Sequence, residues 1–215
     1  MKRIMCYGDS NTWGYTPGSG VRFDENTRWT ALVQKHFGSA VQIMECGLNG
    51  RTTSFPDPFY DYRHGRHGLA YSLMECKPID CAIISLGTND LKFGTAAHSA
   101  KGLDLLLSDI TNANTVFPGS SPVFPGESKI LVISPIHLHS ALDETFPDSE
   151  FFGKVEESHR FAQMFSDVAK KHRADFLDAA LYAQASEADC IHMDASSHRQ
   201  LANAIASKLQ QMLKL

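Results

Sequence analysis

The chain has no apolar run of the roughly 18 residues or more that would read as a membrane span. Its opening stretch, MKRIMCYGDS, breaks at Gly8, before the about 7–15 residues that a secretory h-region needs. Both absences point to a cytoplasmic protein without a membrane partner. An excess of positive charge is missing too. With 20 Lys+Arg against 24 Asp+Glu and a net charge of -4, nothing carries the electrostatic footprint of a nucleic-acid binder. The five cysteines, Cys6, Cys46, Cys76, Cys81 and Cys190, are odd in number and lack CxxC spacing, so they read as reduced core thiols. No repeat or low-complexity tract is visible.

What remains is an ordinary globular composition, 215 residues with 43% hydrophobic, which suits a single domain spanning residues 1–215. Five short apolar runs alternate with stretches of helical period. The runs are Arg3 to Tyr7, Val41 to Gly47, Cys81 to Gly87, Lys129 to Pro135 and Ala174 to Ala180. Helices are expected over Trp29 to Phe37, Gly68 to Glu75, Gly102 to Asn112, Val155 to His172, and Met193 to Leu213 with Asp194 as a cap. The alternation predicts an α/β fold, a five-stranded, mainly parallel sheet with helices on both faces. Unbroken hydrophobicity in the third and fourth runs places them centrally. Two Pro- and Gly-containing stretches, residues 54–68 and 114–128, read as loops above this scaffold, either functional or simply solvated.

Ligands of such sheets bind beyond the carboxyl ends of the strands. The first run leads into Gly8, Asp9 and Ser10, the second into GLNGRTT, the third into GTND, and a segment after the fifth carries DCIH. One rim would thus receive Ser10, Gly50, Asn89, Asp189 and His192. A serine hydroxyl needs a base and oxyanion donors before it can act as a nucleophile. His192 has the chemistry of a base near neutral pH, and Asp189, three residues earlier, can orient its ring. The N–H groups of Ser10 and Gly50 and the amide of Asn89 are candidate oxyanion donors. Singly, each has a plainer reading: Ser10 as a helix N-cap, Asn89 and Gly50 as turn residues. The ordered combination favours chemistry.

These blocks, GDSN at Gly8 to Asn11, GLNGRTT at Gly47 to Thr53, GTND at Gly87 to Asp90 and DCIH at Asp189 to His192, resemble those of the SGNH hydrolases, the GDSL esterase/lipase superfamily. The stretches CYGDSNTWGY, RWT, GLNGRTT and LGTND look most like its bacterial arylesterase/acyltransferase branch. The resemblance implies a three-layer, flavodoxin-like sandwich, no metal or other cofactor, and serine esterase activity on short-chain acyl esters, with acyl transfer to alcohols as an extension. It makes Ser10 the nucleophile, His192 the base, Asp189 its partner, and Gly50 and Asn89 oxyanion donors beside the Ser10 N–H. It also implies that subunits can assemble into homo-oligomers. Asn11 departs from the motif, which has Leu there.

Other readings stay open. The same serine chemistry serves carbohydrate deacetylases, thioesterases and lysophospholipases. Arg63, His64, Arg66 and His67 could meet an anionic or sugar substrate, or face solvent or a neighbouring subunit. Trp13 is a candidate wall for an acyl or alcohol group, or a core aromatic. Arg51 and Asp90 are expected to hydrogen-bond the loops together. His137 and His139 resemble a pair of metal ligands, and a non-catalytic binding module could use the same fold.

Overall fold

The computed structural model describes residues 1–117, 119 and 121–215. Five strands, β1 (Lys2–Gly8), β2 (Val41–Gly47), β3 (Cys81–Ser85), β4 (Lys129–Ser134) and β5 (Asp175–Asp178), form one sheet in the order β2-β1-β3-β4-β5. Every pairing is parallel. The chain therefore reverses its winding beside β1, the doubly wound arrangement that opens a crevice at the carboxyl ends of β1 and β3.

Side chains of β1 alternate between two cores. Met5 and Tyr7 enter one with Ala82 and Ile84 of β3, and Ile4 and Cys6 enter the other with Ile83. This two-sided burial explains why the apolar runs of β1, β3 and β4 are unbroken, whereas β2 and β5, at the sheet edges, are only partly covered.

The helices, in chain order, are α1 (Ser10–Trp13), α2 (Trp29–Phe37), α3 (Gly65–Cys76), α4 (Ala96–Thr111), α5 (Ala113–Val116), α6 (Leu142–Thr145), α7 (Val155–Ser158), α8 (Phe161–Lys171) and α9 (Ala195–Leu213). The face with Met5 and Tyr7 is covered by Leu69 and Leu73 of α3, Leu103, Leu106 and Leu107 of α4, and Phe161 and Phe165 of α8. Trp29 and Val33 of α2 and Leu201, Ile205 and Leu209 of α9 cover the other. Three layers result.

Most expected elements are present, with instructive differences. Val155 to His172 is not one helix. Ser158 Oγ accepts the Leu138 N–H at 3.0 Å and donates to the Val155 carbonyl, so its hydroxyl docks the β4–α6 loop while competing with helical pairing. The chain turns there before α8 begins. Gly102 does not start a helix but lies inside α4, which starts at Ala96 behind a Thr95 cap. The glycine is needed for close approach: a Cβ at residue 102 would lie 1.9 Å from Thr53 Oγ1. α3 starts at Gly65 because His64 caps it and the buried Tyr7 hydroxyl donates to the Gly65 carbonyl at 2.6 Å. Asp194 caps α9 as expected, accepting the Ser197 N–H at 2.7 Å.

The two long loops go to opposite ends of the sheet. Residues 54–68 run over the strand carboxyl ends. In the second, the Val123 carbonyl accepts the Ile79 N–H just before β3, and Asn114 pairs with the backbone of Phe124, which places it at the amino ends. Pro118 and Ser120 of that loop lie outside the described residues. Among the described residues, no helix is long and apolar enough to cross a membrane.

Candidate active site

β1 delivers the chain to Gly8, and Asp9 then caps α1 by accepting the Asn11 N–H at 3.0 Å. Ser10 is therefore the first residue of α1 rather than its cap. Its hydroxyl is available for another partner, and that partner is His192. Ser10 Oγ lies 2.9 Å from His192 Nε2, and His192 Nδ1 lies 2.8 Å from Asp189 Oδ2. The sequence-predicted trio is thus brought together from positions 182 residues apart.

The Asp189 carboxylate is fixed from several directions. Oδ1 accepts the N–H groups of Ile191 and His192 at 3.0 and 2.9 Å, and Oδ2 accepts that of Gly18 at 3.2 Å. Burial pushes this carboxyl upward, but the hydrogen bond and charge of His192 together with these backbone donors outweigh it and hold the group below the usual carboxylate range. The tight turn requires Cys190 at φ 62, a left-handed value uncommon for a residue with a side chain. Its carbonyl is secured by the His139 N–H at 3.0 Å.

Gly50 and Asn89 reach the same cleft. Gly50 has φ 79, and a Cβ there would lie 2.5 Å from Arg63 Nε, so both the backbone and the neighbouring guanidinium require glycine. Asn89 follows β3 on a short turn and is 5% exposed. One N–H of its amide donates to the Arg51 carbonyl at 3.1 Å, leaving the other for a ligand. The Ser10 N–H heads α1, where no intrahelical acceptor exists.

Beneath the cleft, buried charge ties the loops together. Arg51 Nη1 donates to the Gly8 carbonyl at 3.0 Å and also to that of Cys46, and its guanidinium lies 4.1 Å from the centre of the Tyr7 ring. Asp90 accepts the Thr53 N–H and hydroxyl. Burial raises Asp90 to about 7 and Asp9 to about 6, against the opposing pull of their hydrogen bonds. A carboxyl raised above its unfolded value near 3.9 gives stability that is complete below that pH and lost as pH rises through its folded value. Replacing Asp90 by Asn should therefore flatten the fall of the thermal midpoint between about pH 4 and 7, checked by calorimetry at several pH values. An unchanged slope would contradict the raised carboxyl.

The cleft has a volume of about 270 Å³, and its lining includes Ser10, Tyr15, Asn49, Gly50, Asn89 and His192. Trp13 is not its wall. Gly14 turns in the left-handed region and sends Tyr15 back over the site, while Trp13 carries Arg22 above its ring at 5.4 Å. Of the four basic residues of the long loop, only Arg63 lines this cleft, beside Lys92 and Glu150. His64, Arg66 and His67 line a separate surface groove with Asp109. His137 stacks on His159, and His139 Nδ1 accepts the Ala141 N–H. Among the described residues, no group of three or more His, Cys, Asp or Glu is arranged to hold a metal ion.

Asn11, the departure from the motif, turns out to be structural. Its Oδ1 accepts the Met193 N–H at 2.9 Å, linking α1 to the residue after His192. A polar side chain at a motif position that is otherwise apolar was the available signal. Tyr15 gave no such local signal, because the turn at Gly14 brings it in, whereas Arg63 was one of the four basic residues already singled out in the long loop.

The model of the GDSL-like lipase/acylhydrolase family matches residues 6–200. No curated protein matches the chain. Among solved structures, a carbohydrate acetylesterase family member from Sinorhizobium meliloti is 32% identical with a TM-score of 0.91, over 100% of both chains. The native aryl esterase of M. smegmatis is 30% identical with a TM-score of 0.89, over 99% of this chain and 100% of that one. A second Sinorhizobium meliloti carbohydrate acetylesterase is 28% identical with a TM-score of 0.89, over 98% and 99%. With a serine, an imidazole and a carboxylate aligned at the strand ends, the chain belongs to the GDSL-like lipase/acylhydrolase family, with the SGNH hydrolase fold, and is a carboxylic ester hydrolase.

Proposed function

We propose that the chain hydrolyses short-chain acyl esters through an acyl-enzyme on Ser10. The observation that carries this reading is the continuous contact from Ser10 Oγ to His192 to Asp189, at 2.9 and 2.8 Å, in one cleft with Gly50 and Asn89. His192 Nε2 takes the hydroxyl proton as Oγ attacks the ester carbonyl. The oxyanion that forms accepts hydrogen bonds from the N–H groups of Ser10 and Gly50 and the amide of Asn89. Collapse expels the alcohol, which leaves with the proton from His192. Water, activated by the same imidazole, then releases the acid. An alcohol in place of water at that step gives acyl transfer.

At about 270 Å³ the cleft lies at the small end of the usual range of about 300–1,000 Å³ for small-molecule sites, which suits a small ester. The polar groups beside it favour an alcohol half that carries hydroxyls. Asn49, Arg63 and the Lys92–Glu150 ion pair at 2.9 Å line the cleft, and two of the related structures are carbohydrate acetylesterases. Acetylated sugars are therefore the second substrate class, beside aryl and alkyl esters.

Labelling with a fluorophosphonate, peptide mapping, and a series of p-nitrophenyl esters together with an acetylated sugar test this reading. The label should map to Ser10, and kcat/KM should be highest for the short-chain members of the ester series. A label elsewhere, or a preference for long chains, overturns it. Replacing Asn89 by Ala should lower kcat by about 10²–10³. A change confined to KM would make Asn89 a substrate-positioning group instead.

A further inference from the structure

The imidazole facing Ser10 is held by more than Asp189. After the turn at Gly14, the Tyr15 N–H donates to the Ser10 carbonyl at 3.0 Å, which fixes where its side chain leaves the backbone. The Tyr15 ring then lies flat on His192, with centroids 4.1 Å apart and planes inclined by only 24°. On the neighbouring side, Asn11 Oδ1 holds the Met193 N–H. The six residues from Ser10 to Tyr15 thus supply the nucleophile and also restrain the base from two directions.

A ring stacked on an imidazole does two things. It blocks the rotation that would carry Nε2 away from Ser10 Oγ. It also responds to charge: when the hydroxyl proton moves to Nε2, the imidazole becomes a cation above the negative face of the phenol. That attraction is stronger in the transition state than in the ground state, the condition under which an interaction raises kcat rather than only tightening binding. Asp189 acts on the edge of the same ring, so the two contacts are geometrically independent.

We propose that Tyr15 is a positioning residue for the reaction, locking the His192 ring toward Ser10 and stabilising the imidazolium as it forms. The proposal rests on the esterase reading, in which His192 is the base. It is tested with Tyr15→Leu, which removes the aromatic face, and Tyr15→Phe, which keeps it. The substrate is p-nitrophenyl acetate, whose small acyl group depends little on the cleft wall. Tyr15→Leu should lower kcat about threefold to thirtyfold, with KM within about twofold of wild type, while Tyr15→Phe retains wild-type kcat. If Tyr15→Leu does not fold, Tyr15→Met is read in the same way.

Proton NMR gives a readout separate from activity. The stacked ring shields the carbon-bound protons of the His192 imidazole, so their resonances should move downfield in Tyr15→Leu and stay in place in Tyr15→Phe. A Leu variant with unchanged kcat, a loss carried by KM alone, a Phe variant as slow as Leu, or imidazole resonances that do not move would each overturn the proposal. These outcomes leave the esterase reading standing. A wild type without Ser10-dependent turnover overturns both.

Discussion

Ser10→Ala should abolish turnover, lowering kcat by about 10⁴–10⁶, the scale seen when the nucleophile of a serine hydrolase is removed. The reason lies in how little else the side chain does. Among the described residues its hydroxyl hydrogen-bonds one side chain, His192 at Nε2, 2.9 Å away, while the start of α1 is held by the Asp9 cap and by backbone bonds from Thr12, Trp13, Gly14 and Tyr15. Alanine suits a helical first turn, so the thermal midpoint should stay close to that of the wild type. The loss belongs to kcat, because among the described residues no other hydroxyl is hydrogen-bonded to His192. Turnover of p-nitrophenyl acetate and fluorophosphonate labelling check it. A folded alanine variant with ordinary turnover would remove Ser10 from the mechanism.

Asp189→Asn should cost about 10⁴ in kcat, through the tautomer of His192 rather than through shape. Asparagine has the same outline, and its oxygen can still accept the N–H groups of Ile191 and His192, the donors that now meet Oδ1. Its NH₂ then replaces Oδ2, which faces His192 Nδ1 at 2.8 Å and the Gly18 N–H at 3.2 Å. Donor would face donor. The imidazole escapes by carrying its proton on Nε2, and in that form it cannot take the proton of Ser10. Flipping the amide restores an acceptor toward Nδ1 but turns the NH₂ onto two backbone donors. Steady-state kinetics decide the point, and a variant within tenfold of wild type would mean that Asp189 orients nothing essential.

The meeting of distant blocks was legible in the sequence because a parallel sheet sends every strand's carboxyl end to one rim. Ser10, Gly50 and Asn89 each follow a strand by a few residues, so assigning the apolar runs as parallel strands was enough to place them on one rim. β2 and α2 were equally legible, being bounded by Gly47 and Gly38. What escaped depends on contacts far along the chain. The break between α7 and α8 comes from the Leu138 N–H reaching Ser158, and the interior glycine of α4 comes from Thr53 lying against it. Local propensity carries no trace of either. Trp13 and Tyr15 illustrate the same limit inside one short segment: two neighbouring aromatics are equivalent on paper, and the left-handed turn at Gly14 decides which one meets the imidazole.

Arg63, the last residue of a single 3-10 turn over Asp61–Arg63, shows how a loop residue can shape the site. Its Nη1 is anchored to Asp57 at 3.1 Å, its guanidinium lies 4.0 Å from the centre of the Tyr60 ring, and its stem occupies the place where a side chain on Gly50 would be. The Thr52 N–H in turn donates to the Arg63 carbonyl. The loop is therefore joined to the Gly50–Thr52 segment through both the side chain and the carbonyl of Arg63.

The base and its carboxylate sit on the connection that leaves β5, a four-residue strand at the margin of the sheet, whereas the nucleophile follows β1, an interior strand paired on both sides. Margins open before centres do. Partial unravelling at the carboxyl-terminal side would silence the enzyme while most of the hydrophobic interior was still intact, so heat inactivation should run ahead of global melting.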